Sequence, residues 1–282
     1  MTYDTFGNPS NPALLLIGGL GMQMIGWSED FCKGIAAKGF WVIRFDNRDV
    51  GLSTKFDEAG IPDLNLVMQQ VMQGEVPEVP YTLLDMAKDA IGLLDTLKID
   101  SAHLVGASMG GAIAQTLAIH FPERVKTLTS IMSTTGNSEL PQPDPEAFAI
   151  LSTTPPSNRE EYIEYGVKIW DLLNGPVYPL DHDMVRKRMA TTFDRSYHPW
   201  GSGRQAAARF AMGSWKEELK KVDTPSLIIH GDIDPLVPVE GGKETAAMIP
   251  NSKLLIIEGM GHNIPPQVAP RIIEAISNHA SN

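Results

Sequence analysis

The feature that most narrows the fold of this chain is Gly106-Ala107-Ser108-Met109-Gly110. It stands between a short apolar strand pattern, Ala102-His103-Leu104-Val105, and a helix-like run, Ala112-Ile113-Ala114-Gln115-Thr116-Leu117-Ala118. A serine so placed occupies a sharp strand-to-helix corner. The corner drives the serine backbone to positive φ, and side chains two residues to either side would collide across the tight turn, so glycine is needed there. The segment therefore commits the chain to a strand entering, a helix leaving and a reactive hydroxyl between them.

The same alternation continues along the chain. Ala13 to Ile17, Trp41 to Phe45, His103 to Val105, Thr127 to Met132, Ser226 to His230 and Lys253 to Ile257 read as short buried strands. Asp85 to Leu97 carries Met86, Ala90, Leu93, Leu94 and Leu97 at helical spacing and leads into the strand that bears Ser108. Near-continuous apolar strands joined by helical crossovers predict an α/β fold. Its central sheet should be mostly parallel and flanked by helices, with reactive groups at the strands' C-terminal ends.

From Gly136 to Trp215 prolines punctuate short helical stretches, aromatic residues gather, and no buried strand pattern occurs. The expected organisation is a core of residues 1–135 and 216–282 with an inserted helical cap over residues 136–215. Trp170 and Tyr197 are among the aromatic residues expected to face either the cap's own core or a bound substrate. A smaller excursion, Pro62 to Met72, has Leu64, Met68, Val71 and Met72 on one helical face and is expected at the same entrance.

Composition limits the partners. Lys+Arg 23 against Asp+Glu 34 gives a formal net charge of -11, and no basic cluster is present, so a nucleic-acid partner is not expected. Cys32 is the single cysteine, which excludes an intrachain disulfide or a thiolate metal cluster and suits a reducing, cytoplasmic setting. The apolar run Ala13 to Ile17 meets glycines far short of a membrane span or signal length, so neither membrane insertion nor export is expected.

A serine hydroxyl needs a base to take its proton and a group to orient that base. Two later loops offer both. The strand Ser226 to His230 runs into Gly231-Asp232-Ile233-Asp234-Pro235, and Lys253 to Ile257 runs into Glu258-Gly259-Met260-Gly261-His262. The loops supply His262 as base and either Asp232 or Asp234 as acid. The order serine, aspartate, histidine is that of α/β-hydrolases.

Five ordered motifs carry a resemblance over nearly the whole chain: Gly18-Gly19-Leu20-Gly21, Asp46 to Ser53, Gly106 to Gly111, His230 to Pro238 and Gly259 to His262. The chain resembles the α/β-hydrolase superfamily of serine esterases, and most nearly bacterial carboxylesterases of the aclacinomycin methylesterase type. The resemblance implies that Ser108 is the nucleophile, His262 the general base and then acid, and Asp234 the orienting acid. Pro235, by biasing Asp234 toward extended backbone, agrees with that choice. His230 should shape the acid loop. The backbone N–H groups of Met109 and Leu20 are the expected oxyanion donors, although Gly18-Gly19 stands where the family carries His-Gly. Arg48 and Asp49 are read as loop-fixing, Asp49 standing where glycine is more usual. Tyr3 to Phe6 looks like the tail of the family's second strand, so the first strand is expected to be shortened or absent.

The implied activity is hydrolysis of small to medium, mostly apolar carboxylic esters through an acyl-enzyme, with no cofactor or metal and a small-molecule ester as partner. Met22, Met24, Met109, Met132 and Met260 fall in loops or strand ends where adaptable thioethers could line an apolar pocket. Gly19, Met260, Trp170 and Tyr197 are the substrate-contact candidates. The same triad also serves lactone opening, carbon–carbon hydrolysis and perhydrolysis, and a non-turnover receptor is the reading from a different class.

Overall fold

The computed structural model describes residues 1–150 and 153–281; the parts of the expected cap and core at residues 151–152 and 282 lie outside the described residues. Its strands are β1 (Tyr3–Phe6), β2 (Ala13–Ile17), β3 (Trp41–Phe45), β4 (Ala102–Ala107), β5 (Val125–Ile131), β6 (Ser226–Gly231) and β7 (Lys253–Ile257). They form one sheet in the order β1-β3-β2-β4-β5-β6-β7. Edge strand β1 runs antiparallel to β3, and the other neighbouring pairs are parallel.

The helices are α1 (Glu29–Ala36), α2 (Leu64–Met72), α3 (Leu83–Thr96), α4 (Met109–His120), α5 (Pro145–Ala149), α6 (Arg159–Asn174), α7 (His182–Ser196), α8 (Trp200–Ala211), α9 (Lys216–Leu219), α10 (Val239–Met248) and α11 (Ala269–Ala280). Helices α5 to α9 fall between β5 and β6, with no strand among the described residues there. No helix among the described residues is long and apolar enough to cross a membrane.

Strand β2 shows why the sheet is covered on both sides. Alternate residues of a strand face opposite ways, yet all five of its side chains are buried. Leu15 and Ile17 join the cluster containing α3 and α4, whereas Leu14 and Leu16 join the cluster containing α1 and α11. A chain that places leucine or isoleucine at successive strand positions needs helices on each face, which is the arrangement expected of a parallel sheet.

Boundaries shifted where local chemistry overrode the apolar pattern. Helix α3 starts earlier than the spacing of its apolar residues indicates, because Thr82 and Asp85 form a reciprocal capping box that satisfies the first-turn N–H groups. Strand β5 stops at Ile131 because Met132 takes a φ of 44°, outside the strand region. In α2 the packed residue is Val67, and Met72 is 87% exposed, which removes Met72 from the expected inner face.

Candidate active site

Ser108 follows β4 and forms the N-cap of α4 with φ 55° and ψ -122°, the strained corner expected of its motif. Its N–H donates to Ile131 O at 2.9 Å, tying the corner to the neighbouring strand. A Cβ on Gly106 would stand 2.0 Å from Gly110 O, so the turn needs glycine there, and a Cβ on Gly110 would stand 2.1 Å from Ile17 O, so the start of α4 packs on β2 only without one.

His262, in the loop after β7, brings Nε2 to 2.9 Å from Ser108 Oγ. On the opposite edge of the ring, Nδ1 lies 2.7 Å from Asp234 Oδ2. A carboxylate only accepts, so Nδ1 carries the hydrogen and Nε2 presents its lone pair to the serine hydroxyl. Asp234 lies in the loop after β6. Its Oδ1 accepts the N–H groups of Leu236 and Val237 at 2.9 and 2.8 Å, which fixes the carboxylate plane. Burial alone would raise its pKa, but the His262 imidazole bonded to it and the neighbouring His230 ring hold it well below the usual carboxylate range.

The two acids of this loop have separate positions. Asp232 Oδ1 accepts the Gly259 N–H at 2.6 Å and so braces the histidine loop, while Asp234 meets the imidazole. His230 Nε2 is 2.8 Å from Val237 O, a contact that requires its hydrogen on Nε2 and holds the acid loop shut.

The glycine loop after β2 approaches the same corner. A Cβ on Gly19 would be 3.2 Å from Ser108 Cβ, so the absent side chain leaves room beside the hydroxyl. Among the described residues, neither Leu20 N–H nor Met109 N–H donates to a protein acceptor. Met109 opens α4, where backbone N–H groups and the helix dipole favour negative charge. Cys32, by contrast, is buried, and burial pushes its thiol up to about 12, which leaves it unreactive.

A family profile described as alpha/beta hydrolase fold matches residues 12–267. The chain belongs to this family. Rhodomycin D methylesterase DauP of Streptomyces sp. (strain C5) is 32% identical over 301 residues, covering 98% of this chain and 93% of the relative. Rhodomycin D methylesterase DnrP of Streptomyces peucetius is 31% identical with the same coverage. A meta-cleavage product hydrolase from Pseudomonas fluorescens IP01 superposes with a TM-score of 0.76 at 19% identity, over 99% of this chain and 93% of that one, a likeness of fold. The resemblance carried by the five motifs is thereby borne out.

In this α/β-hydrolase the helical segment between β5 and β6 is tied directly to the loops around Ser108. Gln205 of α8, fully buried, accepts the Gly21 N–H at 2.8 Å and donates to Arg48 O at 2.7 Å, bridging the glycine loop and the loop after β3. Beside it, Arg204 makes a bidentate pair with Asp49 at 2.8 and 2.9 Å, and Asp49 also accepts the Tyr81 hydroxyl and the Phe56 N–H. Asp49 has a φ of 68°, the conformation in which glycine is usual, and its carboxylate bonds offset the strain. Asp49, Asp57 and His198 come together as a metal-ligand set would, but Arg204 Nη2 lies within 2.8, 3.0 and 3.2 Å of them and supplies the cation itself. Arg195 of α7 reaches Asp46 at 2.7 Å, and Leu173 O at the end of α6 accepts the His262 N–H at 2.7 Å. Arg48 pairs with Asp89 and lies over the Phe56 and Tyr81 rings, a fixing position away from the serine.

The substrate-contact candidates separate. Met260 is fully buried in the apolar cluster with Ile257 and Val268, so its thioether meets no open space; that expectation is corrected, because the loop turns it into the core. Met24, Met109 and Met132 are also buried. Trp170 lies under the Arg188 guanidinium at 4.2 Å. Tyr197 packs with Phe193 and Tyr162, and its hydroxyl donates to Pro155 O at 2.8 Å. A cavity of about 360 Å³ opens beyond Ser202, with Met68, Phe148, Trp200 and Phe210 in its wall. Gln205, Arg204 and Arg195 escaped sequence reasoning: each meets a loop more than a hundred residues away, and no local pattern marks such a pairing.

Proposed function

We propose that the protein is a serine carboxylic-ester hydrolase acting through Ser108, His262 and Asp234. The observation that carries the reading is the continuous run of hydrogen bonds from Ser108 Oγ through the His262 ring to Asp234, at 2.9 and 2.7 Å. His262 Nε2 takes the serine proton as Oγ attacks the ester carbonyl. The imidazolium is stabilised by Asp234 and returns the proton to the departing alcohol. Water, activated by the same nitrogen, then frees the acid. The N–H groups of Leu20 and Met109 receive the oxyanion, a contact worth about 3 kcal/mol per donor in comparable sites.

The insertion, residues 136–215, is read as the lid over this site. Gly19 leaves space for the acyl carbonyl, and Trp170 is kept as a substrate contact. Tyr197, held by its aromatic neighbours and Pro155, shapes the lid wall. The methylesterase names of the two relatives support a small alcohol as leaving group, and the lone buried Cys32 supports a cytoplasmic setting.

The test is a panel of methyl and nitrophenyl esters of rising acyl length, assayed with the wild type and Ser108→Ala. Multiple turnover by the wild type, and a loss of about 10³-fold or more in the variant, is the expected result. Turnover that survives in Ser108→Ala would contradict it, and binding without turnover would favour a receptor.

A further inference from the structure

Helix α6 ends against the loop that carries His262, and the two backbones approach closely. A Cβ on Gly261 would stand 2.2 Å from Leu173 O and 2.7 Å from Asn174 O, so the residue before the histidine lies on the last turn of α6 only because it has no side chain. The last carbonyls of a helix find no partner within it. Here Leu173 O is met by the His262 N–H at 2.7 Å. Farther along, the Tyr178 hydroxyl donates to Glu258 O at 2.8 Å, where the histidine loop leaves β7.

Asn174, the final residue of α6, ties these contacts together, and it is buried. Its Nδ2 donates to Gly175 O at 2.9 Å and to Tyr178 O, which folds the chain after the helix back on itself. Its Oδ1 accepts the Nδ2 of Asn263, the residue after His262, at 2.6 Å. These bonds use the donor and acceptor ends of the Asn174 amide and leave it one orientation. The Asn263 Oδ1 is buried without a partner among the described residues, so the bond to Asn174 is what holds that side chain. His262 is thus held from α6 at its own N–H and through its neighbour, while its ring spans Ser108 Oγ and Asp234 Oδ2 at 2.9 and 2.7 Å.

We propose that Asn174 is a positioning residue for the general base: through Asn263 and the end of α6 it fixes the backbone from which the His262 imidazole reaches Ser108. The proposal rests on the serine-esterase reading above. Helix α6 belongs to the segment between β5 and β6, so the base is seated by that segment as well as by the sheet. An imidazole bonded at both nitrogens tolerates little displacement, and an error of about 1 Å at a reacting group costs on the order of 100-fold in rate.

The test measures nitrophenyl-ester turnover and the rate of fluorophosphonate labelling at Ser108 in the wild type, Asn174→Ala, Asn263→Ala, the double variant and Arg159→Met. Arg159 opens α6 at its far end and pairs with Asp194 and Glu160 on the surface, so its variant controls for a loosened helix. Asn174→Ala and Asn263→Ala should each lower kcat by about tenfold to 100-fold with KM nearly unchanged, and should slow labelling by a similar factor. The double variant should fall no further than the worse single one, because both act through one bond. Asn263→Ala also removes the unpartnered carbonyl, so its Tm should move little and its kinetics report on a folded protein. The low-field proton NMR signal of the His262–Asp234 bond should broaden in Asn174→Ala and persist in Arg159→Met. A lower Tm with kcat and labelling unchanged would make Asn174 a packing residue and overturn the proposal, as would an equal loss of kcat in Arg159→Met. In either case wild-type turnover leaves the serine-esterase reading standing. A wild type that neither hydrolyses the ester nor takes an adduct on Ser108 counts against both.

Discussion

At Asp234 two opposing effects meet in one side chain: burial favours the neutral acid, and the neighbouring imidazoles favour the carboxylate and prevail. Asp234→Asn should therefore cut kcat by about 10⁴-fold with the fold retained, because the amide no longer holds the productive tautomer of His262. Asp232→Asn should instead weaken the brace on Gly259, at a cost of about 1 kcal/mol in urea unfolding, with kcat changed little. The pH dependence has a definite sign. Since the folded pKa of Asp234 lies below the unfolded value of about 4, its stabilising contribution is complete above that pH and is lost only as pH falls toward the folded value. Ser108 and His262 were legible because glycines and strand ends announce them locally. The choice between Asp232 and Asp234 was less so, since two residues in one loop share the same composition, and only the hydrogen bonds to Gly259 and to His262 separate them. Met260 misled for a related reason: a loop sequence gives no sign of which way a side chain turns, and this one turns into the core.

At the level of elements, α8 joins the helical segment between β5 and β6 to the glycine loop beside Ser108. Gln205→Leu should lower kcat by about tenfold to 100-fold with KM nearly unchanged, since the glycine loop bearing Leu20 loses its anchor at Gly21. A loss confined to Tm would instead make Gln205 a packing residue. Arg204→Met strands the buried Asp49 carboxylate and should cost about 3–5 kcal/mol in urea unfolding. Adding Asp49→Gly should recover much of that loss, because glycine takes a φ of 68° without strain and leaves no charge behind. Periodicity located β2, β3 and β7 to the residue, as apolar runs flanked by polar or turn residues leave little choice. It misplaced the start of α3 and the end of β5, where a cap and a positive φ, rather than hydrophobicity, set the limit. The ties of α7 and α8 to the loops at Asp46, Asp49 and Gly21 were invisible, since they depend on how the insertion folds back over the sheet.

At the scale of the whole molecule, buried histidines couple stability to pH, His103 and His279 both being lowered by burial. His103 packs edge-on to Phe40 and bonds Thr127 Oγ1 at 2.9 Å, and burial lowers it from 6.5 to about 4. As pH falls through that interval the unfolded chain takes up a proton that the folded one refuses. Stability is therefore complete above about 6.5 and declines toward about 4. His103→Gln should reduce that slope in thermal melts recorded across the interval, leaving the share of His279. The alternation of apolar strands and helical runs made the parallel sheet readable in advance, because its strands are covered on both faces and announce it by composition alone. The most direct measurement of the central claim, that Ser108 is a nucleophile activated by His262, is intact-protein and peptide mass spectrometry after brief exposure to a fluorophosphonate. A single adduct on Ser108, formed far more slowly in His262→Ala, is the predicted result. A folded wild-type protein left unlabelled at Ser108, or labelled equally fast without His262, would contradict it.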